Sequence, residues 1–156
     1  YYRLPAGAVN RLQRPEGGET VSKCERGMNL NRWKPYNPNP VRNQRVGDCA
    51  IRAICKATGQ DWETAFAGVM VVACEKSDMP SANSVWGTYL RRNGFRRNII
   101  PDEYPEDYTV EEFSADHQNG VFVLGLDGHV VTVVDGFYWD TWDSGQEIPI
   151  YYWERR

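Results

Sequence analysis

Histidine is nearly absent from this chain, with two residues in 156. Chemistry that needs an imidazole must therefore use His117 or His129. Long apolar runs are missing too. The longest candidate, Val69 to Cys74, falls far short of the roughly 20 residues a membrane-spanning helix requires, so no membrane partner is expected. The four cysteines, Cys24, Cys49, Cys55 and Cys74, include no CxxC pair and no tight metal-ligand spacing, so neither a metal nor another cofactor is expected. No secretion signal is read, and the cysteines are expected to be reduced thiols. The chain does not begin with Met, as expected of a trimmed or internal piece of a longer product. Internal repeats and low-complexity tracts are also lacking.

What is present is a composition ordinary for a globular domain, 41% hydrophobic and 25% charged, with 13% aromatic residues. The length suits one domain with a real core. The net charge of −3 is unevenly spread. Residues 1–46 carry nine Lys/Arg and three Asp/Glu, hence +6; residues 47–156 carry nine and eighteen, hence −9. An irregular basic arm (1–32), punctuated by Pro5, Gly7, Pro15, Gly17 and Gly18, is expected to lie along an acidic domain (33–156). No nucleic-acid-binding motif accompanies the arm, and such a partner is not expected. Lys34 to Pro40 should be largely extended, because each proline disfavours the helical conformation in its predecessor.

Helices are expected over Cys49–Thr58, ended by Gly59, and over about Trp62–Lys76, capped by Asp61. The second is apolar almost all round and should be buried. A third runs from about Ala82 to Asn93, capped by Ser81 and stopped by Gly94, and a short one from Val110 to His117, with Thr109 and Glu112 forming a capping box. Strands are expected at Phe95–Ile100, Val121–Leu126, His129–Val134, Phe137–Thr141 and Ile148–Trp153. Asp127-Gly128 and Asp135-Gly136 are two-residue hairpin signals. Helices first and an antiparallel sheet after them make an α+β domain.

Cys49 follows a Gly-Asp turn and opens a helix, where the dipole and free N–H groups favour a thiolate. A turn at Asp135-Gly136 pairs Val134 with Phe137. His129 then faces Trp142, with Asp140 as its diagonal neighbour and Asp143 pointing away unless a bulge intervenes. A base and its orienting carboxylate are held in this way in a Cys-His-Asp triad. Trp139 and Trp142 flank Asp140 and can shield it from water. His117 reads as a solvated helix-end residue, Cys55 and Cys74 as core, and Cys24 as an exposed, incidental thiol. Arg91 and Arg92 suit a helix C-terminus, and Arg96 and Arg97 a solvated strand edge.

The order Cys on a helix start, His on a strand and Asp on the next strand resembles the papain-like cysteine peptidase superfamily. Gly47-Asp48-Cys49-Ala50-Ile51-Arg52 resembles the nucleophile segment of ovarian-tumour-type deubiquitinases. Gly128-His129-Val130-Val131 with Tyr138-Trp139-Asp140 is similar to bacteriocin-leader-cleaving peptidases. The likeness covers about residues 44–143. It implies a papain-like fold with Cys49 as nucleophile, His129 as general base and acid, and Asp140 as orienting residue. The papain pattern places Gln six residues before Cys; Asn43 stands there and Gln44 one later, so either amide could serve the oxyanion, with the Cys49 N–H as second donor. The implied activity is hydrolysis of a peptide or isopeptide bond in a peptide or protein substrate. Deamidation, amide transfer on the same triad, or a non-catalytic binding or structural role are the alternatives. Lys34 to Pro40, Met79 to Asn83, Asn93 to Arg97 and Asp140 to Gly145 are similar to small proteins encoded by phages and prophages of gut Firmicutes. That likeness implies action in the cytoplasm of a bacterial host. Gly17-Gly18 resembles a double-glycine processing site.

Overall fold

Four helices and a six-stranded mixed sheet make up the described part of the chain, residues 31–42 and 45–156 of a computed structural model. The expectations for the arm, Cys24 and Gly17-Gly18, and for Asn43 and Gln44 as oxyanion donors, fall outside the described residues.

The elements are β1 (Trp33–Pro35), α1 (Cys49–Thr58), α2 (Trp62–Lys76), α3 (Asn83–Arg92), β2 (Phe95–Ile99), α4 (Val110–Asp116), β3 (Val121–Gly125), β4 (Val130–Val134), β5 (Phe137–Asp140) and β6 (Tyr151–Arg155). The sheet order is β1-β5-β4-β3-β6-β2. All pairings are antiparallel except β1 with β5, which is parallel. The sheet is therefore mixed rather than antiparallel. The added strand is three residues long and ends in a proline, which is tolerated because β1 lies on the sheet edge.

Alternate strand residues feed two cores, as the period of two requires. On one face, α1, α2 and α3 bury Ile54, Val69, Val85 and Trp86 against Val123, Val130 and Trp153. On the other, Val110 and Phe113 of α4 meet Phe122, Leu124, Val131 and Tyr138. The hydroxyl of Thr132, on β4, donates to the Ala53 carbonyl at 2.8 Å and ties α1 to the middle of the sheet.

Local signals explain most boundaries. Gly59 closes α1 in the left-handed region (φ 78°), and Asp61 caps α2 by accepting the Thr64 N–H. The capping box of Thr109 and Glu112 is formed. Ser81, in contrast, is not a cap. The helix starts one residue later from Ala82, with no side-chain cap bond, and the Asn83 side chain accepts the Trp86 indole N–H. The last strand begins at Tyr151 rather than Ile148, because Pro149 has no N–H to offer the ladder; pairing starts with the Ile150 N–H on the Gly125 carbonyl.

Three burial expectations are overturned. Helix α2 is buried on one face only, at Ala65, Val69, Val72 and Ala73. Val71 is 57% and Phe66 38% exposed, and Cys74 is exposed rather than core. Nothing among the described residues lies over that side, so an all-round apolar sequence did not mean all-round burial. His117 is half-buried rather than solvated. Its ring stacks on Phe113 at 3.8 Å and meets Phe122 edge-on, with Nδ1 2.8 Å from the Phe113 carbonyl. Cys55 is core, as expected. Arg91 and Arg92 occupy the last turn of α3, where Arg92 pairs with Glu75, while Arg96 and Arg97 lie exposed on the edge strand β2.

Candidate active site

The two halves of the site come from opposite ends of the sequence and meet where α1 abuts the sheet. The β4–β5 register is Val134↔Phe137, Val133↔Tyr138 and Thr132↔Trp139. It fixes the rest: His129, just before β4, faces Trp142, and their rings lie 5.3 Å apart. The diagonal neighbour Asp140 closes on His129, with Nε2 2.6 Å from Oδ2. Asp143 does not share this site; it accepts the Tyr138 hydroxyl at 2.5 Å.

Asp140 is held from several directions. It is buried, and Oδ2 also accepts the Ser144 hydroxyl at 2.8 Å while Oδ1 accepts the Thr141 N–H at 2.7 Å. Its own carbonyl accepts the Tyr36 N–H at 2.9 Å from just beyond β1. A carboxylate with its lone pairs so occupied has one orientation available, and that orientation points at the imidazole. Ser144 was not legible as a site residue. Its only sequence signal is a small hydroxyl four residues past the acid.

Cys49 lies at the first position of α1, half-buried, and shares the lining of one cleft with His129. Because Nε2 is engaged by Asp140, Nδ1 is the nitrogen left for the sulfur. Burial pushes the thiol pKa up. The His129 hydrogen bond and charge, the Val130 N–H and the Arg52 guanidinium together outweigh it, and the net shift is down. For His129, burial works against the charged ring, but the hydrogen bonds and charges of Asp140 and Cys49 prevail and raise it to about 9. The two shifts are reciprocal: each group favours the charged form of the other, the direction that favours a thiolate–imidazolium pair.

The loop before Cys49 is anchored by Asp48, a hub the sequence alone did not disclose. The buried carboxylate pairs with Arg52 one helical turn on and accepts the Asn39 side-chain N–H and the Trp62 indole N–H, both at 2.8 Å. Asn39 thus ties the proline-rich segment to the helix start, and Trp62 ties the start of α2 to it. Asp48 makes no side-chain cap bond to α1. Its role is to fix the backbone that presents Cys49.

The pair opens into a cleft of about 740 Å³. Gly47, Cys49, Trp62, Phe66, Leu126 and His129 are among its lining residues. At Gly47 an added Cβ would meet nothing within 4 Å, so the wall beside the sulfur is open. The flanking tryptophans differ: Trp142, 44% exposed, lies beside His129, while Trp139 lies under the Lys56 ammonium on the α1 side. Among the described residues no group of three or more His, Cys, Asp or Glu is placed to hold a metal ion. No described helix is long and apolar enough to cross a membrane.

This is the geometry of an activated thiol with an oriented imidazole. It can attack an electrophilic carbon and return a proton to a leaving group. No family model matches the chain, and no curated protein or solved structure shows significant similarity to it.

Proposed function

We propose that this chain is a cysteine-dependent hydrolase of peptide or isopeptide bonds, built on a papain-like α+β fold. The observation that carries the reading is the meeting of Cys49 and His129 on one cleft, with His129 hydrogen-bonded to an Asp140 carboxylate that Ser144 and Thr141 hold in place. The order of the three residues along the chain, and their placement on a helix start and two adjacent strands, support the papain-like assignment. The resemblance to phage-encoded proteins supports action in a bacterial host's cytoplasm.

The Cys49 thiolate attacks the carbonyl carbon, and the π electrons move onto oxygen. The resulting oxyanion meets the Cys49 N–H, which belongs to the first turn of α1 and needs no intrahelical acceptor. When the tetrahedral species collapses, the C–N bond breaks and the His129 imidazolium gives its Nδ1 proton to the departing amine. The neutral ring then takes a proton from water. The hydroxide adds to the thioester, the C–S bond breaks, and the thiolate and imidazolium are restored. Throughout, Asp140 keeps the ring in position and stabilises its charge.

The test is incubation of the full chain with a complex peptide mixture, reading new N-termini by mass spectrometry. New termini that vanish in Cys49→Ala and in His129→Ala are expected. Cleavage that persists in Cys49→Ala, or a mixture left intact by the wild-type chain, contradicts the reading.

A further inference from the structure

The cleft does not end at the catalytic pair. Trp62 and Phe66 of α2 line it, their rings stacked at 4.7 Å. The next residues along the same helical stripe, Met70 and Cys74, line a second groove of about 480 Å³ together with Met79 and Pro80. Pro80 lines both, so the two grooves adjoin at the turn after α2. Spacing of four along a helix puts Trp62, Phe66, Met70 and Cys74 in one row. The row borders the buried face of α2 and stays open to solvent: Phe66 is 38% and Met79 68% exposed. One carboxylate, Asp78, borders the second groove, and it is occupied by the Ser84 hydroxyl and the Met79 N–H, both at 2.8 Å.

We propose that this row is an extended subsite for the substrate polypeptide, taking an apolar segment that lies on one side of the bond presented to Cys49. The inference rests on the hydrolase reading and adds to it the substrate class: a peptide or unfolded chain rich in apolar residues rather than a small amide. Three features point to this occupant. The track begins at the nucleophile, because Trp62 donates to the carboxylate of Asp48, the residue before Cys49. Its lining is mainly apolar, as an apolar segment requires. Its length also fits: twelve residues of helix from Trp62 to Cys74 rise about 18 Å, which an extended chain covers with about five residues. Methionine is a common choice for such a surface, since its flexible thioether adapts to varied apolar side chains.

The experiment uses peptidyl chloromethyl ketones that alkylate Cys49, followed by mass mapping on the full chain. The probes are an acetylated Leu/Val hexapeptide ending in glycine, the corresponding dipeptide, and a hexapeptide with Ser and Glu in place of Leu and Val. Glycine beside the electrophile keeps that position constant. The apolar hexapeptide is expected to react about tenfold or more faster than the dipeptide, because several apolar side chains leave water. The polar hexapeptide should not share that advantage. Met70→Glu and Met79→Glu should remove it and Met79→Leu should keep it, with thermal unfolding measured on each variant to verify folding. Equal rates for long and short apolar probes, an advantage shared by the polar hexapeptide, or an advantage that survives both Glu variants overturns the subsite. Failure of the underlying reading looks different: iodoacetamide then alkylates Cys49 no faster in the wild-type chain than in His129→Ala.

Discussion

Replacing Asp140 by Asn changes one atom and should change the protonation of the whole pair. In the structure the Asp140 carboxylate accepts a 2.6 Å bond from His129, and the raised His129 pKa, about 9, names that bond as the foremost of the forces that lift it. A hydrogen bond between charged partners contributes about 2 kcal/mol. That corresponds to a fall of about 1.5 units in the imidazole pKa. The thiolate–imidazolium form is favoured over the neutral form by the difference between the imidazole and thiol pKa values, so its population relative to the neutral pair should drop about 30-fold. The Asn amide adds to the loss, since its NH2 cannot accept from Ser144 or His129 if it occupies the Oδ2 position. The assay is the pH dependence of Cys49 alkylation by iodoacetamide, followed by mass spectrometry between mildly acid and alkaline pH. In the wild-type chain the acid limb should lie below the ordinary thiol range, because the thiol pKa is lowered. In Asp140→Asn the limb should move toward higher pH, and the rate below it should fall. If the two profiles superimpose, Asp140 does not control the charge of His129, and the account of the pair is wrong.

Other consequences follow from the same contacts. Ser144→Ala removes the hydroxyl bond to Asp140 in a fully buried place; it should cost about 1–2 kcal/mol in denaturant unfolding and slow Cys49 alkylation. Asp48→Ala leaves Arg52 without its buried partner and removes the acceptor of Asn39 and Trp62; a loss of about 3 kcal/mol or more is expected by the same measurement, and a loss below 1 kcal/mol, the range of surface pairs, would show that the hub is not structural. Hydrolysis, unlike alkylation, needs the imidazolium as acid. Its rate should therefore rise with pH as the thiol ionises and fall again as His129 loses its proton near about 9. A peptidase rate that climbs on through that range would remove His129 as the proton donor.

Much of the site could be read from local chemistry, and the reasons are specific. The Asp135-Gly136 turn permits one register, and a period of two then carries His129 and Asp140 to the same neighbourhood. Helix α1 follows from the Gly47-Asp48 turn before Cys49, from apolar residues at helical spacing and from Gly59 at its end. The remainder depended on contacts distant in sequence. Asn39 and Trp62 converge on Asp48 from nine and fourteen residues away, and no periodicity reports such a meeting. Strand β1 is too short and too proline-bound to carry a strand pattern, yet its backbone supports the carbonyl of Asp140 through Tyr36. Helix α2 misled because its pattern is apolar beyond the face its neighbours cover. The excess is the open row that runs along α2 beside the cleft. His117 misled in the opposite way: a position at a helix end reads as solvated, but its ring packs against Phe113 and Phe122 and is half-buried.

The central claim is that Cys49 exists as a thiolate because His129 holds its proton. Its most direct measurement compares iodoacetamide alkylation of Cys49 and of the exposed Cys74 at neutral pH in the same sample, for the wild-type chain and for His129→Ala. The account predicts that Cys49, although less exposed, reacts faster than Cys74, and that His129→Ala abolishes this lead while the Cys74 rate stays where it was. A Cys49 rate at or below that of Cys74 in the wild-type chain, unchanged by His129→Ala, would contradict it.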